Sequence, residues 1–596
     1  MAEKPPQVMP SLVFVPNLRI DRGMGHLRRC LDAAASAGIG AVIYWSVDPV
    51  LTAGHPAFER VLVQKLAEGA GVTLWDQWPQ NLVIPVVVAD LQSAGREVFS
   101  FLRSRSRCLV GWDLGGAARF LFPFLVDSLP HETKPGPNIR LPGLLGLKVS
   151  QNRKFDRPIQ KILAVFGGAD PAGLTLRFLR MVQTFRENGL WPYDLTVVRG
   201  PLSGFATPVG VKVVDSPDDL PGLLEQSDLT VTSWGMTALE SLAAGTPVLL
   251  FNPTGYHERL SRKAGLPTFG VKRPRPRAFW SGLAQASPAA VQARGLIHAP
   301  VDAGLYFSGF HGSDGRCPVC RTSGHPVFAR TETKSYHRCG VCGMEFLSVH
   351  QLPEKTYTDA YFFEDYQKQY GKTYLEDFAH IQNLGRQRLE FLNAHFGVLE
   401  GRTILDVGCA YGPFLAAAAE AGYRPFGLDI AEGAVNHVRQ ELKIPAVCAS
   451  FTDFRWNEAF PGQPAPEAVT LWYVIEHFPD LAAVLRKANE LLPAGGILAF
   501  STPNGHGITR TFQPVKFWRE SPDDHFSIWN PTNARTVLKR FGFEAVSFRI
   551  TGRHPERFPG LNRASGFFYG VVAFLDRCFG WGDTFEVYAR KIKELP

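Results

Sequence analysis

The sequence predicts a multidomain α/β protein in which several parallel sheets are each covered by helices. Two series of short apolar runs alternate with helical patterns, over residues 10–150 and 161–251. A further apolar run begins at Ile404, is broken by Gly408 and Gly412, and continues as a helical pattern. A chain of 596 residues is too long for a single core, so three or four domains are expected.

The composition is that of a globular protein, with 45% hydrophobic and 20% charged residues. The net charge of +8 is modest for this length and no long Lys/Arg run occurs, so nucleic-acid binding is not predicted, whereas anionic nucleotide sugars would suit the charge. No apolar run is long enough to span a bilayer, and Met1–Pro6 shows no signal-peptide pattern. With nine mostly scattered cysteines, these features predict a cytoplasmic protein.

Residues 1–150 and 151–300 are predicted to form two doubly wound, Rossmann-like lobes, because strands alternate with helices throughout both. The predicted strands are Leu12–Pro16, Ala41–Trp45, Val83–Val88 and Cys108–Trp112 in the first lobe, and Lys161–Phe166, Asp194–Val198, Val211–Val214, Leu229–Ser233 and Pro247–Phe251 in the second.

Glycine-rich turns follow three of these strands. The Gly23-x-Gly-His26 turn frees backbone N–H groups at a helix start, which favours an anion such as a diphosphate beside His26. Phe166–Pro171 is a second such turn, and the segment Ser233–Pro247 starts another helix. The residues at the start of that helix are Gly235, Thr237 and Glu240.

Over residues 10–270 these turns resemble the glycosyltransferase-B fold and, more narrowly, the UDP-sugar hydrolase of pseudaminic acid biosynthesis. The resemblance implies a catalytic role for His26 and nucleotide binding by Gly235, Thr237 and Glu240. Two segments depart from that family: Ser233-Trp-Gly235 replaces a paired-glycine turn, and Asn252–Glu258 replaces an amide-rich stretch. Hydrolase or glycosyltransferase chemistry, nucleotide-sugar binding alone, and a degenerate lobe pair for substrate presentation or assembly therefore stay open, and His26 could be structural.

Four cysteines form two matched pairs, Cys317/Cys320 and Cys339/Cys342, with 18 residues between the pairs. This spacing predicts a closed, structural zinc site within a linker and zinc ribbon over residues 301–350. A redox dithiol is the alternative, although no βαβ pattern surrounds the pairs. His325 and His337 lie nearby and are predicted to be bystanders.

The apolar run Ile404–Val407 predicts a buried strand, and Gly408 and Gly412 predict a tight turn before a helix. Asp429 ends the next apolar segment, 23 residues after Asp406. An acid at the end of the second strand is placed to bind ribose hydroxyls, so the pattern predicts a nucleoside site.

From about residue 355 to the end, the chain resembles the class I S-adenosylmethionine (SAM)-dependent methyltransferases. The matching segments are Leu405–Gly412, Asp429, Ala449–Asp453, Leu471–Phe478 and Val484–Phe500. The resemblance implies a methyltransferase domain over 351–596 that binds SAM. The implied cofactor-binding residues are Asp406, Gly408, Cys409, Gly412, Asp429 and Asp453.

Glu476, His477 and His525 are the candidate catalytic residues of this domain. Glu476 and His477 follow the fourth strand, and a histidine near neutrality can take a proton from a sugar hydroxyl. A packing pair that only shapes the pocket is the alternative for Glu476 and His477. His525 matches a histidine that lines the acceptor pocket in related methyltransferases.

Residues 566–579 predict a very apolar helix that is too short to span a bilayer. We expect a core or dimer helix, with weak contact to a membrane surface as the alternative. The following segment, Asp583–Arg590, is predicted to pair with Glu544–Arg549 as the last strands of the sheet.

Together these features predict a SAM-dependent methyltransferase for a sugar or nucleotide-sugar acceptor in surface-glycan (polysaccharide) biosynthesis, with an N-terminal nucleotide-sugar-binding module. In the alternative, UDP-sugar hydrolysis or glycosyl transfer by the N-terminal half is the main activity, and the methyltransferase half is accessory.

Overall fold

The structure, a computed structural model, describes residues 9–595 except for 21–24, 39, 47–48, 53–55, 131–135, 148, 151–154, 156, 169, 201–202, 207–208, 218, 353–362, 365, 398–400 and 562–565. The chain forms two compact units, residues 1–311 (unit 1) and 312–596 (unit 2). Unit 1 contains both of the lobes predicted from the strand series, and unit 2 contains the four clustered cysteines and the glycine turn after Val407.

The first lobe of unit 1 is built on a parallel sheet. Its strands are β1 (Leu12–Pro16), β2 (Ala41–Tyr44), β3 (Thr73–Trp75), β4 (Ile84–Asp90), β5 (Ser106–Trp112), β6 (Phe124–Asp127) and β7 (Ile139–Arg140), and its helices are α1 (Gly25–Ala37), α2 (Pro49–Thr52), α3 (Arg60–Gly69) and α4 (Arg96–Arg103). The strand order is β3-β2-β1-β4-β5-β6-β7. The carboxyl ends of β1, β4, β5 and β6 therefore meet along one edge.

The second lobe repeats this architecture. Its strands are β8 (Lys161–Val165), β9 (Asp194–Arg199), β10 (Lys212–Asp215), β11 (Leu229–Thr232), β12 (Val248–Asn252), β13 (Thr268–Val271) and β14 (Arg273–Pro274), and its helices are α5 (Leu174–Glu187), α6 (Leu220–Glu225), α7 (Met236–Ala244), α8 (Gly255–Lys263) and α9 (Pro276–Gln292). The order is β10-β9-β8-β11-β12-β13-β14, parallel except for the last pair.

A short helix, α10 (Ala303–Ser308), returns to the first lobe and packs on α1. Gly304 allows this approach, since a Cβ there would lie 2.1 Å from the carbonyl oxygen of Ala33. Phe307 inserts beside Phe14 and Trp112 in the core. The predicted boundary at residue 300 thus differs from the structure, because residues 301–311 complete unit 1 instead of starting the predicted linker and zinc ribbon.

Unit 2 contains two sheets. Its strands are β15 (Val327–Arg330), β16 (Lys334–Arg338), β17 (Glu345–Val349), β18 (Thr403–Val407), β19 (Arg424–Asp429), β20 (Ala446–Cys448), β21 (Ala468–Trp472), β22 (Ile497–Pro503), β23 (Ser527–Ile528), β24 (Phe543–Thr551) and β25 (Thr584–Lys591). Its helices are α11 (Tyr366–Tyr370), α12 (Phe378–Phe396), α13 (Pro413–Glu420), α14 (Glu432–Gln440), α15 (Trp456–Ala459), α16 (Leu481–Leu491), α17 (Ile508–Phe512), α18 (Pro514–Glu520), α19 (Pro531–Arg540) and α20 (Phe567–Phe579).

The larger sheet has the order β20-β19-β18-β21-β22-β25-β24. The first five strands are parallel, and β25 pairs antiparallel with both β22 and β24. The predicted pairing of the segments 583–590 and 544–549 is confirmed. The connection reverses direction between β18 and β21, which leaves a crevice at their carboxyl ends.

The smaller sheet, of order β15-β16-β17-β23, joins the cysteine segment to the rest of unit 2. Its antiparallel edge strand β23 comes from the segment after α18, far along the chain. Cys317, Cys339 and Cys342 lie in the same apolar core as Val469 and Trp529. The predicted ribbon therefore does not stand as a separate domain, because it shares both a sheet and a core with the residues that follow.

Helix α20 is mostly exposed. Among its apolar side chains only Val572 is buried, whereas four phenylalanines are well exposed: Phe567, Phe568, Phe574 and Phe579. The expectation of a core helix is therefore wrong, while the dimer and membrane-surface alternatives stay predictions. Within the described part of the chain, no helix combines the length and apolar character needed to cross a bilayer.

Candidate functional site

The turn after β18 is shaped by two glycines in the left-handed region. Gly408 has φ 72° and Gly412 has φ 83°. A Cβ at Gly408 would lie 2.4 Å from Val474 Cγ2, so this position has no room for a side chain. Cys409 between them is buried, and burial raises the pKa of its thiol well above the ordinary value, which keeps it neutral. The turn therefore offers backbone, and no charge of its own, to a ligand.

Asp406 lies in β18 directly before this turn and is buried. The Thr470 hydroxyl donates a 2.6 Å hydrogen bond to its Oδ1. Burial raises the pKa of Asp406 to about 7, although Thr470 and the charge of Arg388 oppose the effect. A bound cation or hydrogen-bond donor would favour its ionised form.

Asp429 ends β19 and is held by main-chain donors. The Ala410 N–H donates to Oδ2 at 2.8 Å and the Ala431 N–H donates to Oδ1 at 2.9 Å. Burial raises the pKa of Asp429, and these backbone hydrogen bonds oppose the rise. The Ile430 N–H is a third backbone donor to this carboxylate, and the lone pair that remains can accept a hydrogen bond from a hydroxyl, as a ribose would provide.

The 3-10 turn Ile475–His477 follows β21 and brings two predicted residues to the same sheet edge. The backbone before it is unusual, since Tyr473 has φ 59°. Positive φ in a non-glycine residue is costly and clusters at functional sites. Val474, which closes on Gly408, links this turn to the glycine turn.

Glu476, His477 and His525 converge beside this turn. One ligand atom from each lies within 4.8 Å of the others, so the three side chains have the spacing of a metal site as well as of a proton-transfer site. The rings of His477 and His525 meet edge to face, with centroids 4.7 Å apart. His477 Nδ1 lies 3.3 Å from Asp524 Oδ2, which orients the imidazole.

Glu476 is the buried member of this group, at 1% exposure. No well-aligned hydrogen bond reaches either of its carboxyl oxygens among the described residues, although the Thr502 hydroxyl lies close enough to stabilise the charged form. Burial raises its pKa to about 7, and the nearby His477 offsets part of the effect. A buried polar group left this way is typical of a site that a ligand completes.

Two residues of this site were missed in the sequence. Asp524 precedes His525, and the run Asp523-Asp-His525 was the available signal. Tyr374 lies before α12 and packs near Tyr411 of the glycine turn, with ring centroids 6.2 Å apart. Burial raises its pKa well above the ordinary value, and Asp406 and Asp429 add to the rise, so Tyr374 lies near both acids.

Asp453, the predicted adenine-side acid, is exposed on the turn after β20. It lines a cleft along α16 together with Thr452, Arg455, Arg486 and Lys487. The structure does not give it the backbone donors that fix Asp429, and its role in cofactor binding stays a prediction.

Comparison with known proteins matches residues 378–547 to a family model described as a methyltransferase domain. Over 180 residues the chain is 30% identical to the ubiquinone biosynthesis O-methyltransferase of Bordetella pertussis, covering 29% of this chain and 75% of that protein. The chain belongs to the SAM-dependent methyltransferases.

Other matches are shorter. The ubiquinone biosynthesis O-methyltransferase of Methylococcus capsulatus is 30% identical over 118 residues, which cover 20% of this chain and 49% of that protein. The chain spans about half the length of several of the curated relatives it matches. A SAM-dependent methyltransferase structure from Archaeoglobus fulgidus is 18% identical and covers 39% of this chain and 100% of that chain, with a TM-score of 0.29.

The four cysteines of the methyltransferase unit meet as predicted. Their sulfur atoms all lie within 4.8 Å of one another, with Cys317 Sγ 3.4 Å from Cys342 Sγ and Cys320 Sγ 3.5 Å from Cys339 Sγ. Tetrahedral zinc with bonds of about 2.3 Å sets sulfur atoms roughly 3.8 Å apart, so the donor set fits. His325 and His337 make other hydrogen bonds, to Thr322 and Ser348 respectively.

In unit 1, His26 lies at the start of α1 against a buried charged network. Its Nδ1 is 2.6 Å from Asp90 Oδ1, at the carboxyl end of β4. Arg29 also pairs with Asp90 and reaches Asp113 Oδ2 at 2.7 Å. Burial opposes ionisation of Asp90, but Arg29 and His26 outweigh it and lower its pKa to about 2. Asp90 is therefore a permanent anion that can orient and charge-stabilise His26.

The predicted nucleotide-binding residues of unit 1, at the start of α7, lie close to the start of α1. Gly235 precedes α7, and Glu240 lies on that helix. Burial raises the pKa of Glu240, whereas Arg28 of α1 and Thr237 oppose the rise. Because the charge of Arg28 acts on Glu240, the start of α1 and the start of α7 lie within electrostatic range of each other. Gly23, part of the predicted turn, lies outside the described residues.

The first prediction concerns Gly408. Replacement by Ala places a methyl group against Val474 and strains a positive φ, so Gly408→Ala should weaken SAM binding at least tenfold. Gly462→Ala is the matched control, because Gly462 has φ 76° but nothing within 4 Å of its added Cβ. Both variants carry backbone strain of about 1–3 kcal/mol. Calorimetry with SAM that finds equal affinities for the two variants would contradict this view of the turn.

The second prediction concerns Glu476. Between its ordinary pKa of 4.5 and its raised pKa of about 7, the folded state holds a proton that the unfolded state has lost. Stability should therefore fall as pH rises through this window, by up to about 3 kcal/mol for this group. In scanning calorimetry, Glu476→Gln should melt above the wild type at pH 8, and the difference should close towards pH 4.5. A constant difference across this range would show that burial does not perturb Glu476.

Proposed function

We propose that unit 2 binds SAM at its glycine turn and transfers the methyl group to a hydroxyl of an acceptor. The observation that carries this proposal is Asp429, a buried carboxylate that backbone donors hold beside Gly408, a turn position with no room for a side chain. In this proposal the SAM site is also lined by the residues next to Asp429, which are Asp406, Cys409 and Gly412. Tyr374 joins them, because it packs near the same turn.

The residues after β21 would handle the acceptor. When bound, SAM supplies an electrophilic methyl group. As the acceptor oxygen attacks, its proton must leave, and an imidazole nitrogen of His477 or His525 is placed to take it. Asp524 Oδ2 lies 3.3 Å from His477 Nδ1 and orients the imidazole for this transfer. Much of the rate enhancement would come from in-line positioning of the reacting atoms.

A sugar or nucleotide sugar is the acceptor class that we favour. The support is the nucleotide-sugar site proposed for unit 1 of the same chain, which would place this enzyme in surface-glycan biosynthesis in the cytoplasm. The curated relatives are ubiquinone biosynthesis O-methyltransferases, so a phenolic hydroxyl is the second candidate. Incubation with labelled SAM and separate panels of sugar nucleotides and catechols, followed by mass spectrometry, distinguishes the two.

The four cysteines are proposed to hold one structural zinc ion. The Val341 and Cys342 N–H groups both donate to Cys339 Sγ at 3.4 Å, as in a turn that stabilises a metal-bound thiolate. With four sulfur donors no coordination position is left open for chemistry.

For unit 1 we propose nucleotide-sugar binding, with His26 as the candidate base. The observation that favours it is the His26–Asp90–Arg29 network at the carboxyl edge of the sheet, the edge where ligands bind in such folds. Gly235 and Thr237 would bind the nucleotide from the start of α7, and Glu240 would accept hydrogen bonds from its hydroxyls. Retained hydrolase or glycosyltransferase chemistry and pure substrate presentation are the two versions of this proposal.

The third prediction tests the cofactor site. Asp429→Ala should weaken SAM binding by about 1.5–3 kcal/mol, the cost of hydrogen bonds to a charged group. Asp453→Ala, measured in parallel by calorimetry, decides whether the exposed acid takes part. Absence of SAM binding by the wild type would sink the proposal for unit 2.

The fourth prediction tests unit 1. The wild type should bind UDP-N-acetylglucosamine, and His26→Ala should bind it with similar affinity. If unit 1 catalyses hydrolysis or glycosyl transfer, the wild type should release UDP and His26→Ala should not. Asp90→Asn should slow the release, because it removes the anion beside His26. If neither wild type nor variant releases UDP, the lobes present substrate. Failure of the wild type to bind either UDP or the sugar nucleotide would rule out both versions.

A further inference from the structure

The segment that carries Asp524 and His525 is paired to the cysteine module, defined here as residues 312–352. Strand β23 begins two residues after His525 and pairs antiparallel with β17, with Phe346 opposite Ser527 and Glu345 opposite Ile528. The Leu347 N–H adds a 3.3 Å hydrogen bond to the Phe526 carbonyl oxygen. Strand β23 also contacts the turn Ile475–His477. The module therefore fixes the chain immediately after His525.

Lys334 of β16 fixes the chain immediately before Asp524. Its ammonium group is buried, lies 2.9 Å from Asp523 Oδ1, and donates to the carbonyl oxygen of Ser521. Thr333 Oγ1 donates to the same Asp523 oxygen at 3.3 Å. A buried ammonium is stable only while its partners stay in place, so Lys334 and the segment 521–523 hold each other in one arrangement.

A third connection lies further back along the same segment. The Tyr336 hydroxyl donates a 2.8 Å hydrogen bond to the Trp518 carbonyl oxygen, and the two rings pack with centroids 4.3 Å apart. Tyr336 is fully buried. Residues 518–528 are thus attached to β16 and β17 at three points that enclose Asp524 and His525.

The cysteines determine the geometry of β16 and β17 themselves. Cys339 follows the last residue of β16, and Cys342 lies three residues before β17, so the second cysteine pair is the turn of this hairpin. The Cys339 N–H donates to the Met344 carbonyl oxygen at 2.9 Å to close the turn. A metal ion bound by this pair and by Cys317 and Cys320 would lock the hairpin.

We propose that the cysteine module positions the acceptor-side residues of the methyltransferase site, with Lys334 as the main positioning residue. The inference rests on the proposed function of unit 2. Metal binding at the four sulfurs fixes the β16–β17 hairpin. The hairpin in turn holds Asp524 and His525 in place through three connections: Lys334, Tyr336 and the β17–β23 pairing. The cofactor residues Asp406 and Asp429 lie on β18 and β19, which do not pair with the strands of the smaller sheet, so we expect the module to order mainly the acceptor side.

The test compares full-length Lys334→Met with the wild type by hydrogen–deuterium exchange and by the rate at which diethyl pyrocarbonate modifies His525. Lys334→Met should raise exchange in residues 518–528 by about tenfold, since local opening no longer breaks an ion pair. His525 should react faster, while SAM affinity stays within twofold. Lys334→Arg should restore both signals, which a general loss of stability would not allow. Lys591→Met is the matched control, because Lys591 is also a buried ammonium of unit 2, lies 2.8 Å from Glu594 and donates to the carbonyl oxygens of Asn489 and Leu492.

Zinc removal by a chelator should reproduce the Lys334→Met changes in the same segment. Tyr336→Phe removes a single hydrogen bond and tests the same connection if Lys334→Met does not fold. Unchanged exchange and His525 reactivity in a variant that binds SAM would overturn the inference. If the wild type binds no SAM but Lys334→Met still raises exchange and His525 reactivity, the proposed function is rejected. The connection between the cysteine module and residues 518–528 then still holds.

Discussion

The candidate site of unit 2 depends on one carboxylate that joins two strand ends. Asp429 accepts hydrogen bonds from Ala410 in the glycine turn and from Ala431 at the start of its own connection. Without those donors a buried carboxylate would be costly, and without the carboxylate the turn would leave N–H groups unpaired. The glycine turn and the end of β19 thus stabilise each other. Gly408, with no side chain, lets Val474 approach, which brings the turn after β21 against the glycine turn.

The two units place acids at equivalent strand ends but give them opposite electrostatics. Burial dominates at Asp406, Asp429 and Glu476, whose pKa values are all raised. At Asp90, Arg29 and His26 outweigh burial and the pKa is lowered. The first set is poised to gain stabilisation from an incoming cationic or hydroxyl-bearing ligand. Asp90 stays ionised and already has its partners in His26 and Arg29, so its effect is to fix the orientation of these two side chains.

Much of the fold followed from the sequence because its strands are buried on both sides. Continuous apolar runs such as Leu12–Pro16 and Ile404–Val407 have few other structural solutions, and the glycine spacing located the turn. Strands as short as β7 and β23 are too short to show a periodicity in the sequence. Residues 527–528 form a strand because they pair with β17. The end of unit 1 was misplaced for a similar reason, since α10 belongs there through Phe307 in a distant core.

Candidate residues that the structure brings together were predictable where chemistry and spacing coincide in the sequence, as for Asp406, Asp429 and the four cysteines. Asp524 and Tyr374 depend on contacts between segments far apart in the chain, which no local pattern encodes. Helix α20 shows that a local pattern can also predict burial that the structure does not have. Its composition indicates burial, but composition alone does not show which neighbour covers the apolar face, and in this chain the phenylalanines are exposed.

The position of β25 affects how unit 2 can be assembled during synthesis. This strand lies between β22 and β24, so β22 has an open edge until residues 584–591 have left the ribosome. Chains emerge at about 5–20 residues per second, so some 80 residues of further synthesis leave that apolar edge unpaired for several seconds. Among the described residues, both sheets of unit 1 are built from strands of unit 1 alone, so unit 1 can fold first. Unpaired edges are templates for association, so nascent unit 2 is open to association during these seconds.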